Sequence, residues 1–116
     1  MCEFKVFIKD RDRESKVAED IVRVYYEEGK LVLMDILGNK KYIEGALISS
    51  IDVGKEKLEI LQQPVVKAVI KFIEKYNECL QKNVYSLEIE EAWEEVKSKG
   101  DFIMRELWKM YGKQVT

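Results

Sequence analysis

Apolar and polar positions alternate with a period of two through the first half of the chain and recur at steps of three and four through the second, with the change near Pro64. A period of two marks a half-buried strand, and the longer period marks an amphipathic helix. The first strand is expected over residues 1–8, with Cys2, Phe4, Val6 and Ile8 on one face and Glu3, Lys5 and Phe7 on the other. Residues 9–14 are a charged run and read as a solvated loop. A second strand follows over residues 17–26, where Val22, Val24 and Tyr26 alternate with Ile21, Arg23 and Tyr25. The connection Glu27, Glu28, Gly29, Lys30 and the apolar run 31–34 after it form a hairpin signal. Gly38 and Asn39 mark the next turn, residues 40–43 return as a short strand, and Gly45 interrupts the pattern. Strands over 46–52 and 57–61, turned at Gly54, close the series.

Six short strands joined by tight turns would leave edges exposed in an open sheet, and a small antiparallel β-barrel of the SH3 or Sm kind removes them. Pro64 suits the first turn of a helix, where its missing N–H costs nothing. Val66, Val69, Ile70, Ile73, Tyr76 and Leu80 then trace an apolar stripe to about residue 82. Ser86 is a candidate N-cap for a second helix over 87–98, whose early turns carry Glu88, Glu90 and Glu91. Gly100 reads as the end of that helix and Asp101 as the cap of a third over 102–111. This last segment has two stripes, Ile103, Leu107 and Met110 on one and Met104, Trp108 and Tyr111 on the other, which predicts burial on two sides. The expected fold class is therefore α+β: a six-stranded antiparallel β-barrel over residues 1–61, then a helical extension of about three helices over 62–116. An isolated barrel of that size is near the lower limit of independent stability, so the helices or a partner subunit are expected to cover one of its faces.

Composition narrows the function classes. The chain has 116 residues, and its 20 Lys and Arg against 22 Asp and Glu leave a net charge of −2. A generic nucleic-acid binder would show a basic excess. No apolar run approaches the roughly 20 residues that cross a bilayer, and no signal peptide is apparent, so a cytoplasmic protein without membrane attachment is expected. Two cysteines far apart in sequence, Cys2 and Cys79, suit a reducing compartment better than a disulfide framework. Histidine is absent. The commonest general base and the commonest metal ligand are thereby missing, and a transition-metal site has to use thiolate, amine, backbone amide or carboxylate.

No arrangement for catalysis emerges, and the chain is expected not to be an enzyme. Ser49 and Ser50 have no histidine to activate them, and there is no glycine-rich phosphate loop. Glu90, Glu91, Glu94 and Glu95 read as a solvated helix face, although such a cluster could hold a divalent cation. Arg11, Arg13, Lys40 and Lys41 with Tyr25, Tyr26 and Tyr42 could form a surface for single-stranded RNA, but Asp10, Asp12 and Glu14 cancel much of that field. Cys79 reads as a small apolar filler. Cys2 is either a small core residue or a metal ligand. With Met1 removed, its amine and thiolate form a five-membered chelate; with Met1 retained, the Cys2 amide can join the terminal amine. Both are nitrogen and sulfur donor sets suited to nickel(II) or copper. One chain supplies few donors, and a two-fold axis would bring a second set.

Met1 and Cys2, followed after an intervening pair by Lys5, Val6, Phe7 and Ile8, resemble the opening of the CooT family of small nickel-binding proteins. Val32, Leu33, Met34, Asp35, Ile36, Leu37 and Gly38, then Ile43, Glu44 and Gly45, and Ile51 with Asp52 before the final strand, are similar to the body of that family. The resemblance covers residues 1–61. It implies a small β-barrel that forms a homodimer, binds nickel through Cys2, and supplies the metal to a recipient metalloenzyme, carbon monoxide dehydrogenase, in delivery or storage. Family members have also been labelled RNA-binding on sequence grounds, which makes an RNA-binding small barrel the alternative. The helical extension has no counterpart in the short members.

Overall fold

The computed structural model describes residues 3–116. In chain order it contains β1 (Phe4–Asp10), β2 (Arg13–Glu27), β3 (Lys30–Asp35), β4 (Lys40–Glu44), β5 (Ala46–Asp52), β6 (Lys57–Gln62), α1 (Pro64–Lys82) and α2 (Leu87–Tyr111). The chain divides into two compact units, one ending at Lys67 and the other beginning at Ala68.

The six strands form one sheet in the order β4-β3-β2-β1-β6-β5. Its pairs are antiparallel except β1 with β6, which run parallel from Lys5 opposite Lys57 to Ile8 opposite Ile60. The all-antiparallel barrel expected from the sequence is corrected to a mixed sheet, and Gly45 is the reason. Strand sense alternates through the β1 to β4 meander, but the single residue Gly45 between β4 and β5 bends the chain without reversing it. The sense of β5 and β6 is therefore offset by one reversal, and β6 arrives parallel to β1.

The same residue dictates curvature. β4 and β5 are the two edges of the sheet, yet only Gly45 separates them. In a flat six-stranded sheet the edges would lie about 24 Å apart at the usual strand spacing. Two peptide units reach only about 7 Å. The sheet must curl until its edges meet at Gly45. No ladder joins β4 to β5 among the described residues, so the curl stops as a half-barrel, short of the closed or nearly closed barrel expected.

Gly45 has a φ of 65°, and a Cβ added there would stand 2.5 Å from the Gln63 carbonyl oxygen. Only glycine fits. Its own carbonyl accepts the Gln63 N–H at 2.8 Å, and the Tyr26 hydroxyl donates to the Ala46 carbonyl at 2.7 Å. Alternation places Val6, Ile21, Leu31, Leu33, Ile43, Ala46, Leu58 and Ile60 together as the buried core. β2 follows the curve through register shifts beside Asp20, which sits at a φ of 59°. Residues 9–14, expected as a loop, mostly extend the β1–β2 hairpin, with Lys9 opposite Glu14 and Asp10 opposite Arg13. Cross-strand pairing of opposite charges lets this polar run continue the ladder.

The helical unit has two helices, not three. α2 runs unbroken through Gly100 and Asp101 for 25 residues. One interior glycine costs a helix only about 1 kcal/mol. Ile89, Val96 and Ile103 keep their phase across it, all half-buried, so packing outweighs the local breaker. Pro64 opens α1 as expected, and Ser86 caps α2, its Oγ accepting the Glu88 N–H at 3.1 Å. Within this unit the Phe72 and Trp93 rings meet in a tilted contact, centroids 5.2 Å apart, and Lys75 pairs with Glu88.

Candidate functional site

Cys2, the metal-ligand candidate, lies outside the described residues. What the structure defines is the seat of the strand that follows it. The Glu3 N–H donates to Oε2 of Glu56 at 3.0 Å, and the Lys5 N–H donates to the Glu56 carbonyl at 2.9 Å. Glu56 belongs to the β5–β6 turn, held in the left-handed region at a φ of 50° while its N–H donates to the Val53 carbonyl. Asp52 fixes the same turn by accepting the Lys55 N–H at 2.9 Å. One residue thus grips the start of β1 through both its backbone and its carboxylate.

Farther along the same strand, the Lys57 ammonium lies 4.9 Å from the centre of the Phe7 ring and pairs with Glu14 and Glu59. The hydrogen bond to Glu14 is the chief cause holding Lys57 above the ordinary lysine value. Its charge is balanced by these two carboxylates.

The tyrosine surface is partly committed to structure. Tyr26 uses its hydroxyl at the Ala46 corner, and burial pushes its phenol up, with a backbone hydrogen bond from Ile48 pulling the other way. The Arg23 guanidinium covers Tyr25 at 4.5 Å. Val32, paired laterally with Tyr25 and Tyr42, is fully buried on a face that would otherwise be open. Lys41 donates to the Val17 carbonyl, and Lys40 is raised chiefly by its hydrogen bond to Tyr25. Arg11 and Arg13 belong instead to the β1–β2 turn region.

In the helical unit the candidate carboxylates are spread among separate partners. Glu90 accepts the Tyr85 hydroxyl at 2.6 Å, Glu94 pairs with Lys97 at 2.7 Å and Glu95 with Lys99 at 3.7 Å. Cys79 is half-buried beside a groove of about 370 Å³ that Tyr76, Leu80, Val84, Tyr85 and Ile89 also line. Ser49 donates its hydroxyl to the Glu59 carbonyl at 3.2 Å. Among the described residues no three Cys, Asp or Glu side chains gather as a metal-binding group. No described helix is long and apolar enough to cross a membrane.

The curled half-barrel ends where a family match ends. The model of the CO dehydrogenase accessory protein CooT matches residues 1–61, more than half of the chain. The chain belongs to the CooT family. A crystal structure assigned as CooT from Carboxydothermus hydrogenoformans is similar, with 26% identity and a TM-score of 0.50. The likeness covers 53% of this chain and 98% of that one. No curated protein matches the chain. The family model places the CooT part in the first half of the sequence and leaves the helical unit outside it. The sequence reading missed Glu56: its type and turn position were legible, but its reach to Glu3 requires the parallel β1–β6 pairing.

Proposed function

We propose that this CooT-family chain is a non-enzymatic cytoplasmic accessory protein that carries nickel(II) on Cys2, between two copies of itself, for a metalloenzyme of the CO dehydrogenase kind. The supporting observation is the family match, which starts at residue 1 and so includes Cys2. Donor chemistry agrees with it. A thiolate with a terminal amine, or with a deprotonated amide, offers strong-field nitrogen and sulfur donors that suit square-planar nickel(II). Two chains related by a two-fold axis double the set. Glu56 serves by holding the backbone at Glu3, the residue next to Cys2 in sequence. The nickel is cargo, bound for transfer.

Nickel titration of the wild type, of Cys2→Ser and of Cys79→Ser, followed by thiolate-to-metal absorption, tests this reading. Wild type and Cys79→Ser are expected to bind one nickel per two chains, and Cys2→Ser to lose the absorption. Equal binding by Cys2→Ser and wild type would sink the proposal. Mass spectrometry of the N-terminus identifies which nitrogen is available.

A further inference from the structure

The outward face of β2, β3 and β4 holds two cations that no carboxylate answers. Strand register sets Tyr25, Val32 and Tyr42 side by side in one row, and Arg23, Met34 and Lys40 in the next, two residues along each strand. Residues opposite one another across strands, and those two apart along one strand, share a face of the sheet. All six therefore stand on one surface, on the far side of the sheet from Leu31, Leu33 and Ile43 of the core. Tyr25 fixes both cations. The Arg23 guanidinium lies 4.5 Å over its ring, and a hydrogen bond to Tyr25 is the chief cause holding Lys40 above the ordinary lysine value, with Glu27 the last. Among the described residues neither Arg23 nor Lys40 forms an ion pair with a carboxylate. Between and beside them the floor is apolar: Val32 is fully buried, Met34 half-buried, and the Tyr42 ring 51% exposed.

We infer that this platform docks an extended acidic segment of another protein, seating a carboxylate over Met34 between Arg23 and Lys40 and an apolar side chain against Tyr42. The inference rests on the accessory reading, in which this chain has to meet a second protein, and not on nickel. Charge complementarity selects the occupant. Both cations are already held in place and lack an acid, so a carboxylate arriving there breaks no internal pair. Spacing agrees: the two rows lie about 7 Å apart, which is the distance between side chains two apart on an extended strand. The row on the other side of the tyrosines, Glu27, Lys30 and Glu44, disfavours a nucleic acid. Such a strand carries a charge at every nucleotide and draws its affinity from many phosphate contacts, whereas two cations beside a carboxylate-bearing row offer few. A flat surface of this kind does not enclose a small molecule either. Nor does the acidic run of a second copy fit. Glu88 is engaged by Lys75, Glu90 by the Tyr85 hydroxyl, Glu94 by Lys97 and Glu95 by Lys99.

Amide-resolved NMR titration of the full chain in EDTA tests this, with a short synthetic peptide of alternating glutamate and leucine as the probe. The peptide is expected to shift the amides of Arg23, Met34, Lys40 and Tyr42, with affinity falling as salt is added. Arg23→Glu and Lys40→Glu should each weaken it at least fivefold, while Lys71→Glu, the same charge change on α1, should leave it unaltered. The wild-type shift map stands by itself should a variant misfold. The same peptide with lysine in place of glutamate is expected not to bind. Absence of shifts on this face, equal binding of the lysine peptide, undiminished binding by both charge-reversal variants, tighter binding of an oligouridylate at these residues, or self-association of the chain through them would each overturn the inference. Cys2→Ser is expected to bind the peptide as wild type does. Loss of nickel with peptide binding kept therefore bears only on the nickel reading, and the reverse pattern only on the platform.

Discussion

Replacing Gly45 by alanine should be the most damaging single methyl addition in the half-barrel. The residue stands at a φ of 65°, which costs an L-residue about 1–2 kcal/mol. The new Cβ would also lie 2.5 Å from the Gln63 carbonyl oxygen, a backbone atom already tied to the corner because the Gln63 N–H donates to Gly45. Relieving that overlap requires a backbone shift, about 1–3 kcal/mol further. The total, about 2–5 kcal/mol, is a large share of the roughly 3–9 kcal/mol that about 60 residues ordinarily supply. Gly38→Ala is the control. Gly38 also has a positive φ, 89°, but nothing stands within 4 Å of its would-be Cβ, so only the conformational cost applies. Native-state hydrogen exchange at the core amides of Leu31, Leu33 and Ile60 reads both costs in the half-barrel. Trp93 and Trp108 would report the helical unit instead. Protection is expected to fall about thirtyfold to several thousandfold in Gly45→Ala and by about tenfold in Gly38→Ala. Equal losses at the two glycines would refute the argument that the β4–β5 corner depends on contact with Gln63.

Tyr26→Phe removes the hydroxyl bonded to Ala46 and should cost about 0.5–1.5 kcal/mol in urea unfolding. Because the Tyr26 phenol is held above its ordinary value of 10.0, its contribution is complete below that pH and is lost as pH rises through the folded value. Tyr26→Phe should therefore flatten the alkaline fall in stability, and an unchanged alkaline profile would contradict the assignment. Ser86→Ala should destabilise α2 by about 1 kcal/mol, visible as earlier exchange at the Glu88 amide. Glu56→Ala should weaken nickel binding more than Glu56→Gln, which keeps a side-chain oxygen for the Glu3 N–H; equal affinities by calorimetry would remove Glu56 from the site. Single-stranded RNA should show little binding in a gel shift at low salt, and strong binding falling steeply with added salt would revive the tyrosine surface.

Period-two alternation was sufficient to find the strands, because a half-buried strand writes its two faces directly into the sequence. Strand sense was not legible. Whether Gly45 reverses the chain or merely bends it depends on where its neighbours pack, and that one alternative decides between parallel and antiparallel pairing of β1 with β6. Gly100 and Asp101 imitate a helix end followed by a cap, but Ile89, Val96 and Ile103 stay in phase across them, and that longer-range signal was the better guide. At the candidate site Cys2 was legible from chemistry and family likeness alone. Glu56 was not, since its partner Glu3 lies far back in the chain and meets it only through the completed sheet.

The parallel pairing of β1 and β6 also orders events in time. The β1–β4 meander closes through neighbouring hairpins, whereas Lys5 meets Lys57 only after most of the half-barrel has been made. Long loops close more slowly than hairpins. During synthesis the first strand therefore waits with one flank unpaired until β6 has left the ribosome, and the N-terminal segment gains its Glu56 anchor last.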